Sequence, residues 1–475
     1  MIFMEILNLL NANPVTLYGP TYDVALNWIG RLINWLISGV GIVGVGIILF
    51  SVILKLIVLP FDIYQRIAMR KQNQKMKENQ AKMEKLQKQY ANNKELYNQK
   101  VMEMYKESGF SMFSSCLPMI LSLIIFIVAI NAFNAFAQYS NIENYNDMVN
   151  AYNAKIESYA PDLTEENYHE LVQEDGSKLI IRSNDALLYY TVPATTEKTA
   201  QAINAVPNYS SDNTNKKTYY VNTEKALENA EIKDWVITLE AQGKTQDDAL
   251  VAYFRNEAQN AVLNEYETKV KDKTSFLWIK NVWATDASYK HPVLEYSDFK
   301  TEVSQEEFKI NGEKYELADV SVYTNSYTEN AYNDITAKLS AQKDQANGYY
   351  ILIVLSIGTI LLQQLISMRS QKEQQKYSSV DGQGASQQKI MLVVMTVMFA
   401  IFSFLYSSAF AIYMITSNVL SLFTTVIINK GVDIAEKRKV ANEFKDNYDS
   451  RFRATHAGRV EKTEKNKKKD KFSKK

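Results

Sequence analysis

Lys55 is the only charged residue in an apolar stretch of 23 residues, positions 39–61. A stretch of this length can cross a lipid bilayer as a helix with some tilt. At about 1.5 Å of rise per residue, Lys55 lies roughly 9 Å from the C-terminal end of the stretch, inside the hydrocarbon of one leaflet. Because an ionisable side chain is costly there, we expect Lys55 to reach the interface, to find a partner or to line a wet cavity among helices.

Residues that could perform bond chemistry are otherwise scarce. Cys116 is the only cysteine, so an intrachain disulfide and a cysteine metal cluster are both excluded. The three histidines, His169, His291 and His456, show no ligand spacing, and residues 137–347 contain no metal, nucleotide or nucleophile motif. We therefore expect no catalytic residue, no cofactor and no bound metal, and we do not expect an enzyme.

Charge is distributed unevenly along the chain, although the formal net charge is zero. Residues 64–107 carry 11 Lys/Arg against 5 Asp/Glu, and residues 430–475 carry 16 against 8. Residues 139–347 carry 20 Lys/Arg against 35 Asp/Glu. Because basic segments beside membrane spans mark the cytoplasmic side, this pattern places the two basic segments inside the cell and the acidic segment outside.

Apolar runs and turn signals divide the chain into membrane and water-soluble segments. Residues 22–37 have apolar residues at helical spacing and two tryptophans, which predicts an amphipathic helix lying in the membrane interface. Four further apolar runs follow the first span. In chain order the predicted segments are an N-terminal segment with the interfacial helix (1–38), TM1 (39–61), a cytoplasmic helical hairpin (62–112), TM2 (113–136), an extracytoplasmic domain (137–347), TM3 (348–367), a cytoplasmic linker (368–388), TM4 (389–405), TM5 (409–429) and a basic cytoplasmic tail (430–475).

The hairpin is predicted from a charged helical pattern with an apolar stripe. Apolar residues fall seven apart along its first arm, at Met69, Met76, Met83 and Tyr90. The pair Asn92-Asn93 then breaks the run, and a second helix extends to about Ser108. Two helices joined by a short polar turn can close along their apolar stripes, so we expect an antiparallel hairpin.

The acidic segment is predicted to be a folded α+β domain. KLIIRSNDALLYYTV (178–192) and KKTYYVNTEKALENA (216–230) indicate strands beside short helices. Residues 327–346 indicate a helix that leads into TM3. The predicted fold class is therefore an all-α polytopic membrane protein of the plasma membrane, with a five-helix core, a cytoplasmic helical hairpin and an inserted extracytoplasmic α+β domain. Its N-terminus lies outside and its C-terminal tail, a largely unstructured basic run, lies in the cytoplasm.

Motifs in most of the membrane elements resemble those of the YidC/Oxa-type membrane protein insertases of the bacterial, Gram-positive type. The motifs that carry the resemblance are LKLIVLPF (54–61), the hairpin segments MKENQAKMEKLQKQY (76–90) and EMYKESG (103–109), SCLPMILS (115–122), SFLWIKNVWATD (275–286) and QQKIMLVVMTVMFAIFSFLYSSAFAIYMITSN (387–418). The resemblance as a whole covers about half of the chain, and it says nothing about the extracytoplasmic domain. The family usually has arginine where this sequence has Lys55, and its known outer domains mostly sit elsewhere in the chain.

The resemblance implies a hydrophilic groove that is open to the cytoplasm and to lipid and closed toward the outside. A nascent membrane protein would pass its polar segment through this groove, alone or with a Sec-type translocon. Separately, the basic run of lysines between Lys462 and Lys475 suggests that the tail, with the hairpin, helps to hold translating ribosomes through rRNA phosphates. A solubilising or lipid-facing tail is the alternative. Lys55 would attract acidic residues of the client. The uncharged candidates for the groove wall are Gln363, Gln364, Asn131, Asn134, Thr416 and Asn418. For each of these, hydrogen bonding between helices is an equally good interpretation.

Two other classes of protein fit part of the sequence. A secondary transporter would also place a charge in the membrane, but such proteins usually show internal repeats and helices broken at matching positions, and none is visible here. A membrane anchor for the extracytoplasmic domain is the other alternative. It leaves Lys55 and the charged hairpin without a role.

The charge pattern generates a topology prediction. Single cysteines at Tyr97 and Asn213, introduced into a Cys116→Ser background, should respond oppositely to an impermeant maleimide on intact cells. We expect Asn213→Cys to be labelled and Tyr97→Cys to be protected until the cells are lysed. Labelling of Tyr97→Cys from outside would contradict the five-span topology.

Overall fold

The structure is a computed structural model of the chain. It describes the backbone of residues 13–107, 112–168, 170–172, 179–181, 183, 185–209, 215–304, 307–310, 313–316, 325–370 and 383–472. Side chains are described for most of these residues, but not for 65–66, 69–76, 112–123, 170–172, 307–310, 315–316, 383–389, 391–392, 439–440 or 446–472, nor at a few single positions. Cys116, Met69, Met76 and the tail lysines from Lys462 to Lys471 therefore have no described side chain. Lys474, Lys475, Asn213, His169 and most of the predicted 368–388 linker lie outside the described residues.

Helices dominate the described chain. The helices are α1 (Trp28–Val40), α2 (Val43–Gln89), α3 (Lys94–Glu107), α4 (Met112–Glu157), α5 (Ala200–Asn204), α6 (Thr223–Glu228), α7 (Ala230–Glu240), α8 (Gln246–Glu265), α9 (Lys271–Thr274), α10 (Tyr296–Val303), α11 (Glu329–Ile335), α12 (Ser340–Lys343), α13 (Ile351–Ser370), α14 (Gln383–Leu405) and α15 (Ser408–Phe472). The strands are β1 (Glu170–Val172), β2 (Leu179–Ile181), β3 (Leu188–Val192), β4 (Thr218–Val221), β5 (Glu307–Ile310) and β6 (Glu313–Glu316). A π-helical turn (Tyr266–Val270) joins α8 to α9, and short 3-10 turns (Asn325–Tyr327 and Ala337–Leu339) flank α11.

Four described segments are long and apolar enough to cross a membrane. They are Val43–Tyr64 in α2, Ile124–Glu157 in α4, Ile351–Arg369 in α13 and Ser408–Ala435 in α15. The described part of α14 contributes a shorter apolar segment, Thr396–Leu405. A mostly helical chain with several apolar helices of this length is a multi-pass membrane protein.

The first span begins later than its composition suggests. The apolar run from Gly39 is divided at Gly41, whose φ of 76° lies in the left-handed region. The Gly41 N–H donates to the Ile37 carbonyl at 2.8 Å, which closes the C-terminus of α1, and α2 starts at Val43. Glycine takes this conformation without the strain that a side chain would add, so only two residues, Gly41 and Ile42, separate α1 from α2. The α1 helix itself starts at Trp28, with the Asn27 side chain as its N-cap, rather than at Tyr22.

The helices α2 and α15 continue far past the predicted ends of their spans. The α2 helix runs from the span through Pro60 into the first arm of the hairpin, and the turn to α3 follows at Asn92. The α15 backbone stays helical to Phe472, so the prediction of a largely unstructured tail is wrong. Lysine, glutamate and alanine, which make up much of the tail, are strong helix formers, and charge alone does not prevent a helix.

The α4 helix extends from the predicted TM2 into the segment predicted to be a folded α+β domain, residues 137–347. Its last five turns place apolar side chains at spacings of three and four residues, at Ile142, Tyr145, Val149, Tyr152 and Ile156. All five are buried in the core of that domain. A single helix therefore passes from the membrane segment into the soluble fold without a break.

A four-stranded antiparallel sheet with the order β1-β2-β3-β4 lies within residues 137–347, which we call the sheet domain. The strands predicted within 178–192 and 216–230 are confirmed as β2, β3 and β4, with Tyr189 opposite Tyr220 and Tyr190 opposite Tyr219. The single helix predicted over 327–346 is wrong, because the segment is broken into α11, a 3-10 turn and α12. The Thr336 hydroxyl donates to the Tyr332 carbonyl at 2.6 Å, where α11 ends.

The N-terminal segment belongs to this domain rather than forming a separate part. The Val15 N–H donates to the Tyr219 carbonyl at 2.9 Å, and Val15 and Val24 are part of the domain core. The Tyr18 hydroxyl donates to the Asp334 carboxylate, which also accepts from the Gln259 side chain at 2.8 Å. Burial and the neighbouring Asp334 carboxylate together raise the pKa of Tyr18 well above its usual value, so the tyrosine stays a neutral donor.

The chain divides into two compact units. The first consists of Met1–Phe50, Phe126–Ile357 and Phe399–Met414, and the second of Ser51–Ile125, Gly358–Met398 and Ile415–Lys475. The first unit contains the sheet domain, and the second contains α3 and the C-terminal part of α15. Each of the five long helices α2, α4, α13, α14 and α15 contributes one segment to each unit.

Asp286 closes the start of α13 within the first unit. Its carboxylate is almost fully buried and accepts from the backbone N–H groups of Tyr349 and Leu352, at 2.7 and 2.6 Å. A Cβ atom at Gly348 would come within 1.9 Å of this carboxylate, so the close approach requires glycine. A negative charge at the N-terminus of a helix is favourable because the free N–H groups there carry partial positive charge. Asp286 therefore fixes where the helix begins.

This contact generates a stability prediction. Asp286→Ala should leave two buried N–H groups without an acceptor, at a cost of about 1–3 kcal/mol each. Thermal unfolding of the purified protein in detergent should show a lower Tm, and Asp286→Asn should lose less because its amide oxygen still accepts. Asp344→Ala is the matched control, since this aspartate is exposed in the segment just before α13. If the Asp286→Ala protein has the same Tm as the Asp344→Ala control, the capping role of Asp286 is contradicted.

Candidate functional site

Lys55 is paired with a carboxylate two helical turns further along α2. Its Nζ lies 2.6 Å from the Asp62 Oδ2, with the side chains 14% and 25% exposed. Lys55 was expected to reach the interface, to find a partner or to line a wet cavity. The structure shows a partner, Asp62. Seven residues are almost two full turns, so the two side chains lie on nearly the same face of the helix.

Pro60 lies between the two charged residues and inside the helix. Because proline has no N–H, the Leu56 carbonyl one turn earlier receives no helical hydrogen bond from it. The span therefore combines an ion pair with a freed carbonyl within about two turns, or ~10.5 Å of helix. This is the most polar part of an otherwise apolar span, and it belongs entirely to the second unit.

The second unit also holds hydrogen bonds between its helices. The Thr396 hydroxyl on α14 donates to the Gln364 side chain on α13 at 2.9 Å. The Asn418 side chain on α15 donates to the Thr359 hydroxyl on α13 at 3.4 Å. Hydrogen bonds of this kind hold membrane helices together, so Gln364 and Asn418 each make one helix-to-helix contact.

Polar residues form stripes along two of these helices. On α15 they recur at intervals of three and four residues, at Asn418, Ser421, Thr425 and Asn429. On α13 they recur at intervals of four, at Thr359, Gln363 and Ser367. Ser421 and Thr425 are buried, and Gln363 is half-buried. Residues at this spacing share one face of a helix, so each helix presents a polar face within the second unit.

The membrane helices of the first unit pack through aromatic rings instead. The Phe126 ring centroid lies 4.8 Å from that of Phe399. The Phe133 centroid lies 5.6 Å from that of Phe50 and 5.5 Å from that of Tyr413. Phe50 and Phe133 are almost completely buried. Aromatic pairs at these distances stabilise the packing of the helices beyond the apolar area that they bury.

Three buried serines in the same part of the first unit have local hydrogen-bond partners. Ser356 and Ser403 place their Oγ atoms 2.9 Å apart, and each donates to a carbonyl of its own helix. The Ser408 hydroxyl donates to the Ala284 carbonyl at 2.8 Å. Buried hydroxyls with such partners stabilise helix packing.

The predicted site residues fall into two groups. Lys55, Gln363, Gln364, Thr416 and Asn418 belong to the second unit. Asn131, which is exposed, and Asn134, which is half-buried, belong to the first. In the described hydrogen bonds, Lys55, Gln364 and Asn418 each contact a residue outside the predicted set.

Sequence reasoning missed the partners of these residues. Asp62 is the first residue after the predicted span, and a search for an opposite charge seven residues from Lys55 would have found it. The three-four spacing of Asn418, Ser421 and Thr425 was also readable from the sequence. The pairing of Thr359 with Asn418 was not, because nothing local specifies which helices are neighbours. Within the described residues, no group of His, Cys, Asp and Glu could hold a metal ion.

The fold and the site define the class. This is a multi-pass membrane protein with a charged pair in one span, polar faces on two further spans and an attached soluble domain. Sequence comparison then supplies the family: the family described as 60Kd inner membrane protein matches residues 35–222 and 258–437. The chain belongs to this family, which is the YidC/Oxa family that the motifs resemble.

Several curated relatives match a shorter part of the chain, and each is named "Membrane protein insertase YidC". The relative from Caldanaerobacter subterraneus is 36% identical over 98 residues, which cover 21% of this chain and 46% of the relative. The relative from Fusobacterium nucleatum is 33% identical over 104 residues, 22% of this chain and 49% of the relative. The relative from Clostridium perfringens is 39% identical over 75 residues, which cover 16% of this chain and 30% of the relative. The chain thus spans less than half the length of each of these relatives.

Proposed function

We propose that this protein inserts nascent integral membrane proteins into the bilayer and helps them fold. The observation that carries the proposal is the Lys55–Asp62 pair, a charged site inside the span Val43–Tyr64. Family membership and the insertase names of the relatives support it. The proposed activity moves a polypeptide between environments and forms or breaks no covalent bond.

The mechanism we propose uses the contrast between the two units. Carrying a polar group through hydrocarbon costs several kcal/mol when its hydrogen bonds are lost. A hydrophilic groove built from the polar faces of the second unit would shorten the dry distance, and the aromatic packing of the first unit would keep the outer side closed. The apolar segment of the client then leaves sideways into lipid, driven by its own hydrophobicity.

We propose distinct roles for the predicted residues. Lys55 provides the charge of the groove, and Gln363 and Thr416 line its wall. Gln364 and Asn418 hold the helices that form the wall, as their contacts with Thr396 and Thr359 indicate. Asn131 and Asn134 would meet the client nearer the outside.

The proposed topology has five spans, with α14 as the fourth. In this arrangement the N-terminus and the sheet domain lie outside the cell, and the hairpin and the C-terminal helix lie in the cytoplasm. The boundaries of the soluble domain follow the sequence prediction, 137–347, with the N-terminal segment packed onto it. Nascent membrane proteins are the proposed clients, with a Sec-type translocon as a further partner.

Substitutions at Lys55 test the proposal. Lys55→Arg should keep client insertion, because guanidinium stays charged and long enough to reach Asp62. Lys55→Ala and Lys55→Glu should lose insertion of a client with one acidic translocated residue, by roughly tenfold, which corresponds to ~1.4 kcal/mol. The glutamate variant should be the worse of the two, since like charges repel. The assay is protease protection of a short client made with the full-length protein in membranes.

The controls separate function from folding. Each variant must reach the membrane at the level of the parent protein, and a client with asparagine in place of its acidic residue should insert equally with all of them. Full insertion of the acidic client by a well-expressed Lys55→Ala protein would contradict the proposed role of Lys55.

We also propose that the basic end of α15, together with the hairpin, holds translating ribosomes. Residues 455–475 would contact rRNA phosphates, so binding should weaken steeply as salt rises. Co-sedimentation of ribosomes with the full chain and with a chain lacking residues 455–475 measures this. We expect the shortened chain to bind less at low salt, and equal binding would exclude a contribution from this segment.

A further inference from the structure

The Lys55 ammonium is already occupied in the absence of a client. Asp62 contacts it at 2.6 Å, and both side chains are more than two-thirds shielded. The two residues are on the same helix, so the pair forms without any other chain. A client carboxylate that is to contact Lys55 must therefore compete with Asp62.

The physical cost of an unpaired charge explains why such a partner is needed. A lysine or an aspartate alone in an apolar span costs several kcal/mol, and pairing removes much of that cost. The span could equally have avoided the cost with an uncharged residue at position 55. With both charges present, the span contains a cation, Lys55, together with the counter-ion, Asp62, that makes it tolerable there.

We propose that Asp62 is the resting counter-ion of Lys55 and that a client binds by displacing it. This inference rests on the proposed function. In the resting state Asp62 holds the ammonium, and in the client-bound state an acidic side chain of the client takes its place. After displacement the Asp62 carboxylate no longer contacts Lys55. Because Asp62 lies two turns further along α2, water can solvate this carboxylate from the hairpin side.

The exchange makes Asp62 a specificity-determining residue. Competition with Asp62 weakens the contact with any client carboxylate, so weak or poorly placed acidic groups are rejected. It also limits how long a client stays, because Asp62 can return to Lys55 and release it. A client without an acidic residue gains nothing from Lys55, and Asp62 does not affect its affinity.

Binding of synthetic client segments to the full-length protein in lipid nanodiscs tests the exchange. Two fluorescent segments are compared, one with a single aspartate in its polar part and one with asparagine at that position. Asp62→Asn should bind the aspartate segment about tenfold more tightly than the parent and release it more slowly. Its affinity for the asparagine segment should not change.

Three variants control this result. Asp62→Glu keeps a carboxylate within reach of Lys55 and should behave like the parent protein. Glu95→Gln removes a negative charge from the exposed first turn of α3 in the same unit and should change neither affinity. In Lys55→Ala/Asp62→Asn the two segments should bind equally. Because the measured quantity is the difference between two segments on one protein, a general loss of structure does not reproduce it.

The outcomes separate the two claims. If Lys55→Ala/Asp62→Asn still prefers the aspartate segment, the proposed role of Lys55 itself is wrong. If the preference depends on Lys55 but Asp62→Asn binds the aspartate segment no more tightly than the parent, only the exchange is wrong. If Asp62→Asn binds the aspartate segment more tightly than the parent does, and its affinity for the asparagine segment is unchanged, the role of Lys55 and the exchange with Asp62 are both supported.

Discussion

The cost of placing a charge in hydrocarbon is the constraint on which the proposed function depends. Lys55 is tolerated in an apolar span because Asp62, on the same face of the same helix, neutralises it at 2.6 Å. Pairing within one helix needs no particular arrangement of the other spans. The charged site is therefore a property of α2 alone, and the neighbouring helices only have to leave it accessible.

The same constraint separates the two parts of each long helix. Segments in the first unit bury phenylalanine and tyrosine rings against one another, and the Ser356 and Ser403 hydroxyls lie 2.9 Å apart. Segments in the second unit carry the ion pair and the polar stripes of α13 and α15. A change from ring packing to polar faces within individual helices is what a groove that enters the bilayer from one side requires.

The soluble domain and the membrane helices are joined by continuous structure. The α4 helix carries the apolar residues of both, and Asp286 from the loop after α9 caps the start of α13. The N-terminal segment adds Val15 to the edge of the sheet at β4. The domain is therefore more than an appendage on a flexible linker, and it holds the ends of the spans to which it connects.

Local chemistry decided which features could be predicted from the sequence. Lys55 stood out because a charge in an apolar run is conspicuous, and the strands β3 and β4 were predictable because both are short runs rich in tyrosine and β-branched residues. Asp62 was missed because the span was ended one residue before it. The helical tail was not predicted, because a run of like charges is also typical of disordered segments. Its lysines and glutamates nevertheless favour a helix. The contact of Asn418 with Thr359 depends on which helices are neighbours, and no local pattern carries that information.

Solvent access to α13 tests the central claim, a water-filled groove in the second unit, most directly. In a Cys116→Ser background, cysteines at Gln363 and at Leu362 differ by one residue in depth but lie on different faces. Leu362 is exposed and apolar, as expected for a lipid-facing residue. A membrane-impermeant maleimide, applied to inverted vesicles, should label Gln363→Cys and spare Leu362→Cys, and it should also spare Phe410→Cys in the aromatic packing. Equal labelling at Gln363 and Leu362, or no labelling of Gln363→Cys, would contradict the groove.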